Sequence, residues 1–227
     1  MSEIIYGKNS FFEALNNNRI LEAYVLDDKL IKDKNIKYRI VDRKTLDKYS
    51  HSGNHQGYVA KVKEFKMAQV KDMIKDKNGL IVMLDGIQDV HNLGAIIRTA
   101  ECAGADGVIY KSHNAVKVND TVAKVASGAL EYVKVAEVNN LVNTIKELKK
   151  NGYWVVGADG NCDRLYDDIK YDMNTVLVIG SEGKGISRLV KEECDFIVKL
   201  PMEGKVTSLN ASVAAGILIY HIKFSRK

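Results

Sequence analysis

Leu80-Ile81-Val82-Met83-Leu84 is an apolar run without alternation, and it passes through Asp85-Gly86-Ile87-Gln88-Asp89-Val90-His91 into Asn92-Leu93-Gly94-Ala95-Ile96-Ile97-Arg98-Thr99-Ala100. An uninterrupted apolar run of this length reads as a strand buried on both faces, which is how strands of a parallel sheet read. The chain then turns and enters a helix, with Asn92 as the expected N-cap. Arg98 falls almost two turns into a helix whose other residues are small or apolar, so its charge needs a partner or a ligand. A structural Arg–carboxylate pair on a capped helix would meet that need equally well.

The alternation of strand and helix continues from this stretch to the end of the chain. Strands are expected at 80–84, 107–110, 132–136, 153–158, 176–179 and 196–200. Helices are expected at 93–103, 120–127, 141–150, 186–191 and from about 208, and in the third of these Leu141, Val142, Ile145 and Leu148 line one face. The pattern predicts an α/β fold, an open and mainly parallel sheet with helices on both sides.

Two further stretches follow strand ends, where open α/β sheets bind ligands. In Val178-Ile179-Gly180-Ser181-Glu182-Gly183-Lys184-Gly185-Ile186-Ser187 the glycines permit close backbone approach. A nucleotide phosphate loop fits poorly: Ile186-Ser187 stands where a Walker loop needs Lys then Ser/Thr, and G-x-G-x-x-G is absent. Leu200-Pro201-Met202-Glu203-Gly204-Lys205-Val206-Thr207-Ser208-Leu209-Asn210-Ala211-Ser212 places Ser208 and Asn210 at a helix start, where capping is the competing explanation.

Upstream, Ser10-Phe11-Phe12-Glu13 has capping-box spacing for a helix running to 15 or 17. Strands at 22–26, 36–41 and 57–62, with a helical turn at 44–49, complete a small α/β unit. Residues 64–78 carry Met67, Val70 and Ile74 at helical spacing and read as a linker helix. The expected organisation is a domain at 1–66, a linker at 67–78 and a second domain at 79–227.

The net charge is +5. Residues 1–77 hold 16 Lys+Arg against 11 Asp+Glu, while 78–227 hold 18 against 18, so the whole excess lies in the first third. A basic module joined to a neutral one points to a polyanion partner for the first, although a solvated lysine-rich surface has the same composition. The three cysteines include no C-x-x-C pair, so neither a zinc ribbon nor a disulfide framework is suggested. No metal site is expected: His51 and His55 have no further ligand nearby, and Asp159-x-Asn161-x-Asp163 has Arg164 where a calcium loop needs Gly. The longest apolar run, 211–220, is far short of the ~20 residues of a membrane span, and no secretory signal pattern is evident. A soluble cytoplasmic protein is expected.

Together the three long stretches resemble the three motifs of the SpoU/TrmH branch of SPOUT RNA ribose methyltransferases. Residues 92–100 resemble the first, Gly180-Ser181-Glu182-Gly183-Lys184-Gly185 the second, and 200–212 the third. Ile5-Tyr6-Gly7 and His55-Gln56-Gly57 look like the ribosomal-protein-like RNA-binding domain of the subgroup that methylates a guanosine in large-subunit ribosomal RNA. Ala211 stands where the family often has Val, and His221 where an acid is common.

The resemblance implies a small N-terminal α/β RNA-binding domain, a C-terminal α/β domain tied in a deep trefoil knot, and a homodimer that brings the first motif near the partner's cofactor. It implies S-adenosylmethionine held largely by backbone groups around Gly180, Leu200, Met202 and Leu209. Asn92, Arg98, Glu182, Ser208 and Asn210 carry over as catalytic residues. The expected activity is ribose 2′-O-methylation of structured RNA, ribosomal RNA first, without DNA or membrane partners. Methylation of transfer RNA and a non-catalytic RNA-binding role are the alternatives.

Overall fold

The computed structural model describes residues 2–51, 53–112 and 115–226. In chain order its elements are β1 (Ser2–Tyr6), α1 (Lys8–Asn16), β2 (Ile20–Val25), β3 (Tyr38–Ile40), α2 (Arg43–Tyr49), β4 (Tyr58–Lys63), β5 (Leu80–Asp85), α3 (Val90–Cys102), β6 (Gly107–Lys111) and α4 (Asp120–Ala126). There follow β7 (Val135–Val138), α5 (Leu141–Lys150), β8 (Trp154–Ala158), β9 (Thr175–Gly180), α6 (Arg188–Glu192), β10 (Phe196–Val198) and α7 (Ala211–Phe224). They fall into two compact units, Met1–Lys66 with Val118–Tyr132, and Met67–Lys117 with Val133–Lys227.

In the first unit the sheet order is β1-β4-β2-β3, with β4 antiparallel to both its neighbours and β3 parallel to β2. Burial alternates along β2, so the two faces carry different residues. Ala23, Val25, Ala60 and Val62 pack with Phe11, Ala14 and Leu15 of α1. On the opposite face Tyr6 and Val59 pack with Leu46 of α2.

Beyond β1, which the sequence pattern does not announce, two features of this unit differ from the sequence expectation. The N-cap of α1 is Gly7, at φ 97, and not Ser10. Ser10 lies inside the helix, where its Oγ donates to the Ala123 carbonyl at 3.3 Å, because a tertiary partner is available that local spacing cannot show. The segment 118–132, which lies inside the range expected for the second domain, folds with the first unit. Ala123 joins the α1 core, Asn9 Nδ2 donates to Ser127 Oγ at 3.1 Å, and Arg19 pairs with Glu131.

The second unit is a six-stranded sheet of order β10-β8-β9-β5-β6-β7 with every pair parallel. All positions of β5 are buried, as a strand covered on both faces must be. The expected linker helix is instead a single 3-10 turn, Val70–Met73. The buried residue there is Met73, off the anticipated stripe, and it packs in the core with Ile81 and Ile109, where Gly107 leaves room for its thioether. Helix α5 has the bounds expected from its amphipathic spacing. Helix α7 begins at Ala211, later than expected, because 201–210 form neither helix nor strand and stay exposed.

Candidate active site

The parallel strands β8, β9 and β10 end side by side, and the loops leaving them enclose a cleft of about 680 Å³ together with residues 207–211. The loop after β9 is the most constrained. Ser181 and Gly185 pair backbone to backbone at 3.1 and 2.9 Å, and Gly183 and Gly185 take φ +82 and +65, conformations that glycine adopts without steric cost. A Cβ on Gly180 would overlap the carbonyl carbon of Gly185 and the nitrogen of Ile186, so only glycine allows this closure. The far end of the loop is pinned by Asp85, a buried carboxylate at the end of β5 that accepts the Ser187 N–H at 2.7 Å.

This geometry holds Glu182 in place. Its Oε1 accepts from Asn92 Nδ2 at 2.9 Å, from Asn210 Nδ2 at 2.7 Å and from the Ala211 N–H at 3.4 Å. Asn210 Nδ2 also reaches Asn92 Oδ1 at 2.9 Å. Both asparagines have a second duty to account for. Asn210 does cap α7, its Oδ1 accepting from the Ser212 and Val213 N–H groups at 2.9 and 3.3 Å, so capping and site assembly use different atoms of one side chain. Asn92 is not the N-cap of α3. Asp89 is, accepting the Asn92 N–H at 2.8 Å, which leaves the buried Asn92 amide free to bridge the other two residues.

Gly180, Leu200, Met202 and Leu209 all line the cleft, as do Glu182, Ser208 and Asn210. Met202 is 40% and Leu209 38% exposed, so the apolar part of the lining faces solvent and would gain from being covered by a flat apolar ring. A volume within the range of about 300–1,000 Å³ for small-molecule sites, an apolar wall and glycine-backed loops fit a nucleoside-sized ligand.

Arg98 stands apart. It is exposed, and it makes no ion pair or hydrogen bond among the described residues. Six residues separate it from Asn92 on α3, which is about 9 Å of rise and about 120° around the helix from that side chain's direction. Its charge is carried by solvent, and the partner expected from its apolar surroundings is not supplied by the described residues, because the arginine points off the packed side of the helix.

Sequence reasoning passed over Asp159. It lines the cleft beyond β8, its Oδ2 pairs with Lys191 at 2.7 Å and its Oδ1 accepts the Asn161 N–H at 2.8 Å. Burial works to raise its pKa, but Lys191 and the Asn161 N–H outweigh it and hold the carboxyl below its ordinary value. Its position just after a buried strand was the available signal, hidden by the incomplete calcium-loop spacing. Among the described residues no group of three or more His, Cys, Asp or Glu could hold a metal. His55 is buried and accepts the Gly57 N–H at Nδ1, at 2.9 Å, with Nε2 3.2 Å from Asp47.

A parallel α/β sheet with its cleft folded from the loops after its final strands, joined to a small α/β unit, is the SPOUT methyltransferase class of architecture. The chain belongs to the SpoU rRNA methylase family, which residues 79–220 match. Residues 4–68 match the RNA 2′-O ribose methyltransferase substrate-binding domain. The sequence is 43% identical over 236 residues, 97% of this chain and 94% of the relative, to YacO of Bacillus subtilis, which is named as a TrmH family tRNA/rRNA methyltransferase. Its fold is similar to that of an AdoMet-bound rRNA methyltransferase from Sinorhizobium meliloti, with TM-score 0.85, 23% identity, and coverage of 97% of this chain and 86% of that one. The A. aeolicus TrmH/SpoU tRNA modifying enzyme matches less of it, with TM-score 0.59, 30% identity, and coverage of 69% of this chain and 79% of that one.

Proposed function

We propose that the cleft holds S-adenosylmethionine and that the chain, as a homodimer, methylates the ribose 2′-hydroxyl of a guanosine in large-subunit ribosomal RNA. The observation that carries this is the convergence of Glu182, Asn92 and Asn210, through hydrogen bonds of 2.7–2.9 Å, at a cleft with an apolar wall of Leu200, Met202 and Leu209. When bound, S-adenosylmethionine supplies a methyl group on a sulfonium whose departure as a neutral thioether needs little help. The protein's task is to align the ribose hydroxyl and provide for its proton.

Asn92 has both amide atoms committed within the protein, so it positions Glu182 and Asn210 and does not touch substrate. Gly180, Leu200, Met202 and Leu209 present backbone and apolar surface to the cofactor, and Ser208 lies exposed in the same wall. Arg98 is unsuited to act as a base, since a guanidinium pKa lies above about 12. As an exposed, unpaired fork it suits a phosphate beside the target ribose.

Homodimerisation accounts for the surface of α7. Val213, Ile217, Tyr220 and Phe224 are 49%, 43%, 44% and 67% exposed, and their spacing places them along one side of the helix. Helix α3, which carries Arg98, packs against α7, so a partner seated on this apolar stripe would lie close to Arg98. The presence of the basic N-terminal unit supports ribosomal over transfer RNA. The S. meliloti rRNA methyltransferase matches 97% of this chain, whereas the A. aeolicus tRNA modifying enzyme matches 69%.

The deciding experiment is a mass-spectrometric map of ribose methylation in RNA from cells with and without this protein. One guanosine of large-subunit ribosomal RNA should lose its 2′-O-methyl group. Loss confined to transfer RNA would overturn the choice of substrate, and no loss in any RNA would overturn the activity.

A further inference from the structure

The sheet of the first unit is closed on one face only. On the face away from α1, helix α2 covers Tyr6 and Val59 through Leu46, Ile4 and Tyr24 are half-buried against that cluster, and the next row is only partly covered. Strand register sets Ile4, Lys61 and Glu22 side by side in that row, and Arg39 beside Tyr24. Directly opposed residues share a face of the sheet. Lys61 is exposed, and Arg39 and Lys37 remain 62% and 67% exposed although both pair with Glu22, at 2.9 and 3.4 Å. At the end of α2 the ring of Tyr49, 37% exposed, lies 4.6 Å from that of Tyr24 with the planes inclined by 35°.

Helix α2 adds to the charge. Lys44 and Lys48 are exposed, four residues apart, and make no ion pair among the described residues. Like charges at that spacing destabilise a helix, so a short helix that keeps them gains nothing in folding from doing so. A polyanion relieves the repulsion.

We infer that this partly open face, together with the adjoining outer side of α2, is a landing surface for unpaired nucleotides of RNA, with Tyr49 stacked on Tyr24 as a platform for a base and Lys61 on the sheet and Lys44 and Lys48 on the outer side of α2 following the backbone. This rests on the reading that the chain acts on RNA and specifies which RNA feature its first unit grips. Cations alone would serve a duplex equally. The exposed ring of Tyr49, backed by the half-buried Tyr24, serves a splayed base, since stacking needs a free π-face that an A-form helix does not offer.

The test uses the full chain, a labelled mixed-sequence single-stranded RNA and the duplex of the same sequence, with binding followed by fluorescence anisotropy over a salt series. Tyr49→Ala should weaken single-strand binding about tenfold and leave duplex binding unchanged, with Tyr49→Phe restoring it, because phenylalanine stacks as tyrosine does. Replacing Lys44, Lys48 and Lys61 together by Gln should lower the slope of log affinity against log salt by about 2, at roughly 0.7 per lost phosphate contact on a single strand. Single-strand binding by Tyr49→Ala equal to that of the unaltered protein would remove the platform, and an unchanged salt slope would remove the surface. The lysines are exposed, so their replacement and Tyr49→Phe should leave the melting temperature in place, while Tyr49→Ala loses only the ring contact with Tyr24 and should stay folded under the binding conditions. Methyl transfer by the unaltered protein to extracted ribosomal RNA is measured separately, and its failure would count against the activity while the binding results still judge the surface.

Discussion

The two sheets place their chemistry in different locations. In the second unit β5 is buried at every position and β9 is buried from Thr175 to Ile179, so neither displays a reactive group along its length. The cleft-lining carboxylates stand where the strands stop, Glu182 after β9 and Asp159 after β8. In the first unit burial alternates along β2 and β4, and the polar half of each strand stays available. A parallel sheet covered on both sides makes a pocket at one edge, while a half-covered mixed sheet makes a surface.

The largest effect should follow from Gly180→Ala, which puts a methyl group into the Gly185–Ile186 backbone. Backbone cannot yield as a flexible side chain does, so a stability loss of about 3 kcal/mol in urea unfolding is expected, with cofactor binding abolished in calorimetry. A variant that folds and binds normally would break the claim that the strand-end turn is the site.

Next comes Arg98→Lys. Lysine keeps the charge but has a lower intrinsic pKa, about 10.4, and lacks the bidentate fork. As a phosphate clamp, Arg98 should resist this replacement at every pH, with methyl transfer reduced about a hundredfold and cofactor affinity unchanged. Recovery of most activity under alkaline conditions in a pH–rate profile would restore the base role.

Arg226→Ala probes the opposite edge of the same sheet. Arg226 donates to the carbonyls of Gly79 and Met173, both at 3.1 Å, and of Tyr171 at 3.0 Å, clamping the amino-terminal ends of β5 and β9. Losing a charged donor to several partly buried carbonyls should cost about 2 kcal/mol. The folded fraction should still bind cofactor with the same Kd, and a weakened Kd would show that the two edges are not independent.

The smallest effect is a pH dependence. Burial pushes the Cys194 thiol up to about 12 from its usual 9.0, and the Tyr171 hydroxyl up to about 12 from 10.0. Both are neutral acids favoured by folding, so their contribution is complete below pH 9 and is lost as pH rises from 9 towards 12. Cys194→Ala should make the fall in stability between pH 9 and 10 shallower. An identical slope in the variant would show that Cys194 does not titrate on unfolding.

Much of this architecture is legible locally. Leu80 to Leu84 reads as a strand buried on both faces, and Leu141, Val142, Ile145 and Leu148 mark the face of α5, because hydrophobic patterning is a property of the chain itself. The glycines around Glu182 announce a turn that ordinary side chains would obstruct. Those residues also carry the family resemblance, so Gly180, Leu200, Met202 and Leu209 could be gathered before the cleft was seen.

What the sequence left open depends on partners distant along the chain. Asn92 could be assigned as an N-cap or a site residue only once Glu182 and Asn210, 90 and 118 positions away, were seen to take its amide. Ser10 could be removed from the cap only once Ala123 offered its carbonyl. The same holds for Asp85 on Ser187, for Lys191 on Asp159, and for the solvent-facing direction of Arg98. Spacing along the chain fixes backbone periodicity within a few residues, whereas a side-chain hydrogen bond requires an atom placed to within a fraction of an ångström, and for these residues only the folded sheet and its loops provide that placement.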